Sequence, residues 1–286
     1  MASLGPKVSI IIPTYNRDRC MVRRAMDSVL SQTYRNIEII LVDDNATEDT
    51  AIFRVDIENL VESYCDVRII YKQNKTNLGG ALARNEGIAI ATGEYVTFLD
   101  DDDRYLPNKV KNQLGFMMMH GLEMSFTDLR LCDSNDRTVD FREYGRIRAY
   151  DNETLLRFHI IRHITGTPTF MYRRAVLDRI GGFPDVKMGQ EFHLMLKTIE
   201  SGANIGYLPT VDVVAYRHRR GGISTGQTKL DGENALYDFK KRYFNMLSVR
   251  ERLFVRFRHH VVLAVAHRRC GKVLGMVAHG IIAIVL

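Results

Sequence analysis

Gly93-Glu94-Tyr95-Val96-Thr97-Phe98-Leu99-Asp100-Asp101-Asp102-Asp103 is a strand-like run that ends in four consecutive carboxylates. Adjacent acids repel unless something positive is held against them. The simplest candidate is a divalent cation, because Mg²⁺ and Mn²⁺ prefer oxygen ligands and keep positions open for water or phosphate. Tyr105-Leu106-Pro107 then opens a helical stretch, which puts the acids at the carboxyl end of a strand. Open α/β sheets bind ligands at that edge. Without this setting an acidic run reads as a solvated turn.

Around this run, short β-rich segments alternate with longer helical ones. Strands are expected over Val8–Ile12, Ile37–Val42, Val67–Tyr71 and Tyr95–Leu99, with Pro13 ending the first. Helices are expected over Cys20–Ser31, Thr47–Ser63 and Asn77–Ala91. This order predicts an α/β fold with a Rossmann-like, mostly parallel sheet flanked by helices. The region from Leu122 to Leu208 mixes strands with short helices, and Gly189 to Ser201 reads as a helix with an acid at its amino end.

The division expected is a main domain over residues 1–225 and a helical carboxyl-terminal extension over 226–286. From Arg250 onward the extension is basic and amphipathic, and Val273 to Leu286 is apolar but too short to span a bilayer. That order suits a helix lying in an anionic membrane interface. The alternatives are a helical cap on the main domain or an interface with a second copy in a homo-oligomer.

The chain has 286 residues and a net charge of +6, which suits an anionic partner without choosing one. Cys20, Cys65, Cys132 and Cys270 are scattered, so neither a zinc site nor a disulfide framework is indicated. Met1 to Lys7 lacks the apolar core of a signal peptide, which leads to the expectation of a cytoplasmic protein, peripheral on the inner face of a membrane. No motif points to nucleic acid.

Four stretches have to be explained together: Ser9-Ile-Ile-Ile-Pro-Thr-Tyr-Asn-Arg17, Val42-Asp-Asp-Asn-Ala-Thr-Glu-Asp-Thr50, Asn77-Leu-Gly-Gly-Ala-Leu-Ala-Arg-Asn85, and Gly93 to Asp103. Jointly they resemble the family 2 glycosyltransferases of GT-A fold, over about residues 7 to 225. Neither a GxxxxGK[ST] loop nor a GxGxxG fingerprint is present. The resemblance implies an inverting hexosyl- or N-acetylhexosaminyl-transferase acting on a nucleotide-diphosphate sugar and a glycan or lipid-linked acceptor.

By that resemblance Pro13, Thr14, Tyr15 and Arg17 line a nucleoside pocket, and Asp44 accepts from the base. A carboxylate there suits the ring N–H of uracil, which favours UDP. Asp43-Asp44-Asn45 also reads as a loop turn capping the next helix. Gly80 and Arg84 would approach the diphosphate or sugar. The acid run matches the family's DxD motif: Asp102 is the direct ligand of Mn²⁺ or Mg²⁺, and Asp100 and Asp101 contact the donor.

Gly189-Gln190-Glu191 is similar to the family's acidic ED motif, with Glu191 at the position of the catalytic base and Gln190 replacing the first acid. Tyr216 to Ser224 resembles a loop that closes over the donor. There His218 completes the metal shell, and Arg217 or Arg219 neutralises the leaving diphosphate. Two other classes compete. A nucleotidyltransferase needs a glycine-rich amino-terminal loop, which Ile11 to Asn16 is not. A non-catalytic binding module has no need of acids at both the metal and the base positions.

Overall fold

The computed structural model describes residues 5–186, 188–217 and 226–286. Strand and helix alternate through Val8–Thr14 (β1), Arg19–Leu30 (α1), Ile37–Asp43 (β2), Ala51–Tyr64 (α2), Ile69–Gln73 (β3), Gly79–Ile90 (α3) and Tyr95–Phe98 (β4). Arg104–Tyr105 (β5), Lys109–Met119 (α4), Met124–Thr127 (β6), Leu129–Cys132 (β7), Thr138–Arg142 (β8), Asn152–Arg162 (α5) and Met171–Arg173 (β9) follow. Next come Arg174–Ile180 (α6), Gln190–Glu200 (α7), Ile205–Leu208 (β10) and Val213–Tyr216 (β11). Three helices complete the chain: Gly226–Lys240 (α8), Val249–Arg269 (α9) and Val273–Val285 (α10).

The main sheet has the order β10-β6-β9-β4-β1-β2-β3, and β9 runs antiparallel to both its neighbours. Its central strands are apolar on both faces, as strands covered by helices on either side must be. Ile11, Ile40 and Phe98 face one layer of helices, with Ala83 and Ile88 of α3 and Leu194 and Met195 of α7. Ile10, Ile12 and Leu41 face the other, with Val22 and Met26 of α1, Leu60 of α2 and Leu114 of α4. The mostly parallel α/β architecture expected from the sequence is what the chain adopts.

β1 lies between β2 and β4, so the loops that leave β1 and β4 stand side by side at the carboxyl edge, where open α/β sheets bind ligands in a crevice. Three local expectations change. Pro13 does not end β1 but pairs with Val42, because β4 pairing stops at Ile11 and Phe98, and the missing N–H lies on that vacated side. Val67 is 99% exposed and precedes β3. Tyr105 belongs to β5, and the helix starts only at Lys109.

β5 pairs with β11 in a second sheet of order β5-β11-β7-β8. This small sheet grips the far end of the acidic run. The extension is not a detached unit: Val255 of α9 is buried with Ile160 and Ile161 of α5 and Phe192 and Leu196 of α7. Arg157 of α5 also forms an ion pair with Glu251 of α9 at 2.7 Å. The cap on the main domain, one of the two alternatives to a membrane helix, is therefore present on one face of α9.

Candidate active site

Two polar loops shape the crevice before any acid of the run is reached. Asp43 is buried; its Oδ1 accepts the Asn45 amide at 2.8 Å and its Oδ2 the Tyr71 hydroxyl at 2.6 Å. Asn45 Oδ1 in turn accepts the Asn16 amide at 2.7 Å, tying the loop after β1 to the loop after β2. Tyr15 stands 45% exposed at this edge, open to stacking on a base, while Thr14 is buried.

Asp44 has a different setting from the one expected. It is 2% exposed, and its carboxylate receives the Leu78 and Gly79 amides at 2.8–3.1 Å and Asn74 Nδ2 at 2.8 Å. Those amides are the orphan donors at the amino end of α3, so Asp44 caps that helix and fixes Gly79 and Gly80 at the crevice. Its oxygens are turned to the backbone, not outward to a base.

The four acids divide by position. Arg17 Nε lies 2.9 Å from Asp101 Oδ1 and its Nη2 3.1 Å from Asp102 Oδ2. Arg84 pairs with Asp100, and Arg24 donates to the Asp102 carbonyl. Asp103 accepts the Tyr216 amide at 3.0 Å, which anchors β11 to the run. Arg17 is thus a counter-ion of the acids, and the protein itself supplies much of the positive charge that their repulsion demands.

Burial pushes the Asp101 carboxyl up to about 7, with Arg17 pulling it down and Asp102 pushing it up. Burial likewise raises Asp103, helped by Asp100 and Asp102. The Asp100 and Asp102 side chains keep 35% and 16% of their surface exposed, whereas Asp101 keeps 7%. The alternate acids therefore face the crevice. Asp101 turns inward to Arg17, so it takes an internal role in place of the donor contact expected.

Among the described residues no group of three or more His, Cys, Asp or Glu side chains converges as a metal-binding set. The chemistry of the outward pair still fits a hard cation. Mg²⁺ and its analogues are held by one or two carboxylates and complete their shells with water and phosphate oxygens. Asp100 and Asp102 are the residues that would hold it. His218 and Arg219 lie outside the described residues. Arg217 is exposed, with its Nη2 3.6 Å from Asp140 Oδ2.

The opposite wall carries Glu191 in the first turn of α7. A carbon built on Gly80 would lie 3.9 Å from Gln190 Oε1, an ordinary contact that puts the start of α3 beside the start of α7, and 3.2 Å from Arg84 Nη1, which would have to give by a few tenths of an ångström. Burial pushes the Glu191 carboxyl up and Asp100 adds to it, while Arg142, Arg84 and the Thr167 hydroxyl pull it back. Glu191 and Asp100 therefore share one electrostatic neighbourhood.

Several positioning residues were missed from sequence. Asn85 clamps the Phe183 backbone, donating to its carbonyl and accepting its amide, each at 2.8 Å, and Arg84 lies 5.5 Å from the Phe183 ring centroid. His159 holds the start of α7. Its Nδ1 accepts the Ile164 amide at 2.9 Å, so Nε2 carries the proton and donates to the Phe192 carbonyl at 2.9 Å. Burial keeps that imidazole neutral, down at about 3. Asn85 closes a motif already quoted, and its position there was the one available signal. His159 had none.

Comparison with known proteins agrees with this geometry. The family described as Glycosyl transferase family 2 matches residues 9–181. An Escherichia coli protein, UDP-Glc:alpha-D-GlcNAc-diphosphoundecaprenol beta-1,3-glucosyltransferase WfaP, is 42% identical over 231 residues, covering 78% of this chain and 81% of that one. Against uncharacterized glycosyltransferases of Haemophilus influenzae and two Rickettsia species, the chain spans about half of their length or less. Two solved structures share the fold. Mannosyltransferase PcManGT from Pyrobaculum calidifontis, in complex with GDP-Man and Mn²⁺, has a TM-score of 0.65 at 19% identity, covering 98% of this chain and 86% of that one. S. aureus TarS 1-349, in complex with UDP-GlcNAc, has a TM-score of 0.62 at 18% identity, covering 96% and 90%. With a family match across the sheet, the acid run and the amino-terminal loops that shape the crevice, the chain belongs to glycosyl transferase family 2.

Proposed function

We propose that this chain transfers a sugar from a nucleotide-diphosphate sugar to an acceptor hydroxyl by a single displacement that inverts the anomeric centre. Glu191 takes the proton of the attacking hydroxyl, and its raised carboxyl brings it nearer the working pH of a general base. Arg84, fixed over Phe183, faces the departing diphosphate. Asp100 and Asp102 would hold Mn²⁺ or Mg²⁺, which supplies charge stabilisation to the leaving group when bound. The observation that carries this reading is that α3 and α7 begin side by side at Gly80, with Asp100 and Arg84 both acting on the Glu191 carboxyl.

UDP is the donor nucleotide we favour and a lipid-linked glycan the acceptor class, in line with the WfaP relative. The fold neighbours hold UDP-GlcNAc in one case and GDP-Man in the other, so the base is chosen by experiment. Release of nucleotide from UDP-, GDP- and dTDP-sugars, with metal or EDTA and with or without a lipid-diphosphate sugar acceptor, tests the reading. Metal-dependent release stimulated by acceptor is expected. Formation of sugar nucleotide from a sugar phosphate and nucleoside triphosphate would replace it with the nucleotidyltransferase.

The extension is proposed to rest on an anionic membrane surface. No helix among the described residues is long and apolar enough to cross a membrane. On α9, Val249, Leu253, Phe257, Val261 and Val265 form an exposed stripe at four-residue spacing, and Leu274, Ile281 and Ile284 of α10 are also exposed. Arg250, Arg252, Arg256, Arg268 and Arg269 accompany them. Because α9 is packed on α5 and α7, deletion would damage the core, so point changes are the better test. Phe257→Glu with Ile281→Glu should abolish flotation with anionic vesicles and leave the melting temperature unchanged; equal flotation of the variant would remove the membrane assignment.

A further inference from the structure

Behind the crevice, α7, α8 and α9 enclose a cavity of about 250 Å³, large against the roughly 10–15 Å³ that admits one water. Its ionisable lining is Glu191, Glu233, His163, His259, Lys229, Lys240 and Arg258. Glu233 Oε1 lies 3.5 Å from His259 Nδ1, which makes no hydrogen bond among the described residues, and its charge also acts on Lys240 and Arg258. Arg258 donates to the Ile161 carbonyl at 3.1 Å, leaving the rest of its guanidinium to the cavity.

Lys240 is the group that this packing does not explain. The residue is 4% exposed, yet its ammonium makes no hydrogen bond or ion pair with any described residue and has only the Phe192 ring, at 5.6 Å, beneath it. Burial, with Arg258 adding to it, pulls Lys240 down to about 8 against the opposite pull of the Glu233 carboxylate. An ammonium on a residue this buried, with Glu233 as a nearby opposite charge but no carboxylate among the described residues paired with it directly, is unfavourable, and an apolar side chain of the same length would pack there at no such penalty. Three cations from the carboxyl-terminal helices face one cavity against two carboxylates, Glu191 and Glu233, and this surplus of positive charge makes a seat for an anion.

We propose that Lys240, Lys229 and Arg258 form a phosphate-binding subsite for the acceptor, so that a diphosphate-linked sugar enters with its phosphate in this cavity and its hydroxyl at Glu191. This rests on the transferase reading above and adds a substrate class to it. It gives α8 and α9 a catalytic-domain duty of selecting an anionic acceptor. The donor diphosphate is met at the other side of Glu191, by Arg84 and the outward acids.

The test uses the full-length protein in metal-free buffer with saturating UDP, titrated calorimetrically with inorganic pyrophosphate, farnesyl diphosphate and farnesol. Pyrophosphate and farnesyl diphosphate should both bind, and farnesol should not. Lys240→Met should weaken both by about ten-fold or more, as loss of a charge-assisted contact does, with UDP affinity unchanged. The ligand-free Lys240→Met protein should melt no lower than wild type, a result that a merely structural lysine would not produce. Lys229→Met, on the other side of the cavity, provides the same reading should Lys240→Met fail to fold. Unchanged affinity in both variants, or no diphosphate binding beside bound UDP, overturns the subsite and leaves the transferase reading standing. Binding of pyrophosphate without farnesyl diphosphate makes it a site for free phosphate and overturns the acceptor role. Failure of wild type to bind UDP even with Mn²⁺ added counts instead against the donor reading.

Discussion

At the amino-terminal edge of the main sheet the Glu38 carboxylate is ringed by donors: the Ser9 and Thr92 hydroxyls and the Thr92 amide, each at 2.6 Å, and the Gly93 amide at 3.2 Å. Lys7 adds its charge at 3.6 Å. At the carboxyl edge of the same strands Asp100 to Asp103 crowd one another, with Arg17 and Arg84 paired against them. Burial acts upward on the carboxyls at both ends. At Glu38 the hydrogen bonds from Ser9 and Thr92 outweigh it and leave the group below the usual range, whereas at Asp101 burial wins. A buried acid ringed by donors holds a fold together, whereas acids raised by burial and by one another mark a candidate ligand site.

The largest expected effect falls on the far wall of the crevice. Glu191→Gln keeps the shape but cannot accept a proton, so transfer should drop by about 10²–10⁴-fold with donor binding intact. Near-normal turnover at saturating acceptor would move the base elsewhere, with Asp185 and His193 examined next. At the outward acids, Asp102→Ala should lower transfer by about 10²–10³-fold, the range for removing a stabiliser of developing charge. Asp100→Ala should be nearly as severe, and both proteins should melt close to wild type. Calorimetry of UDP with and without Mn²⁺ checks this; metal-assisted affinity that survives Asp102→Ala would break the contrast between the two edges.

The converse change should be invisible to catalysis. Glu38→Ala leaves the donors of Ser9, Thr92 and Gly93 unpaired and should destabilise the fold by about 1–3 kcal/mol, with turnover per folded molecule unchanged. The smallest effect is on acid sensitivity. Because the folded Glu38 carboxyl is held below its ordinary value, its contribution is complete above about pH 4.3 and is lost as pH falls through the folded value. Melting temperature followed from about pH 6 to pH 3 should therefore fall less steeply for Glu38→Gln than for wild type. Parallel curves would mean that Glu38 carries no linked proton.

The amino-acid sequence by itself determined β1, β2 and β4, the helices between them and α7, since buried parallel strands are continuous apolar runs and their helices repeat apolar residues at three and four. It also marked the acid run, Arg84, Gly80 and Glu191 as candidates, because residue type and order are properties of the chain alone. Tertiary structure decided what each one touches. Asp44 adjoins Asp43 in sequence, yet it caps a helix that starts 35 residues on, and Arg17 reaches acids 84 and 85 residues away. The small sheet that grips Asp103 and the cavity around Lys240 are made by pairings just as distant. Hydrogen bonds and ion pairs act over about 3 Å whatever the separation along the chain, so partners brought together only by folding leave no periodic trace in the order of residues.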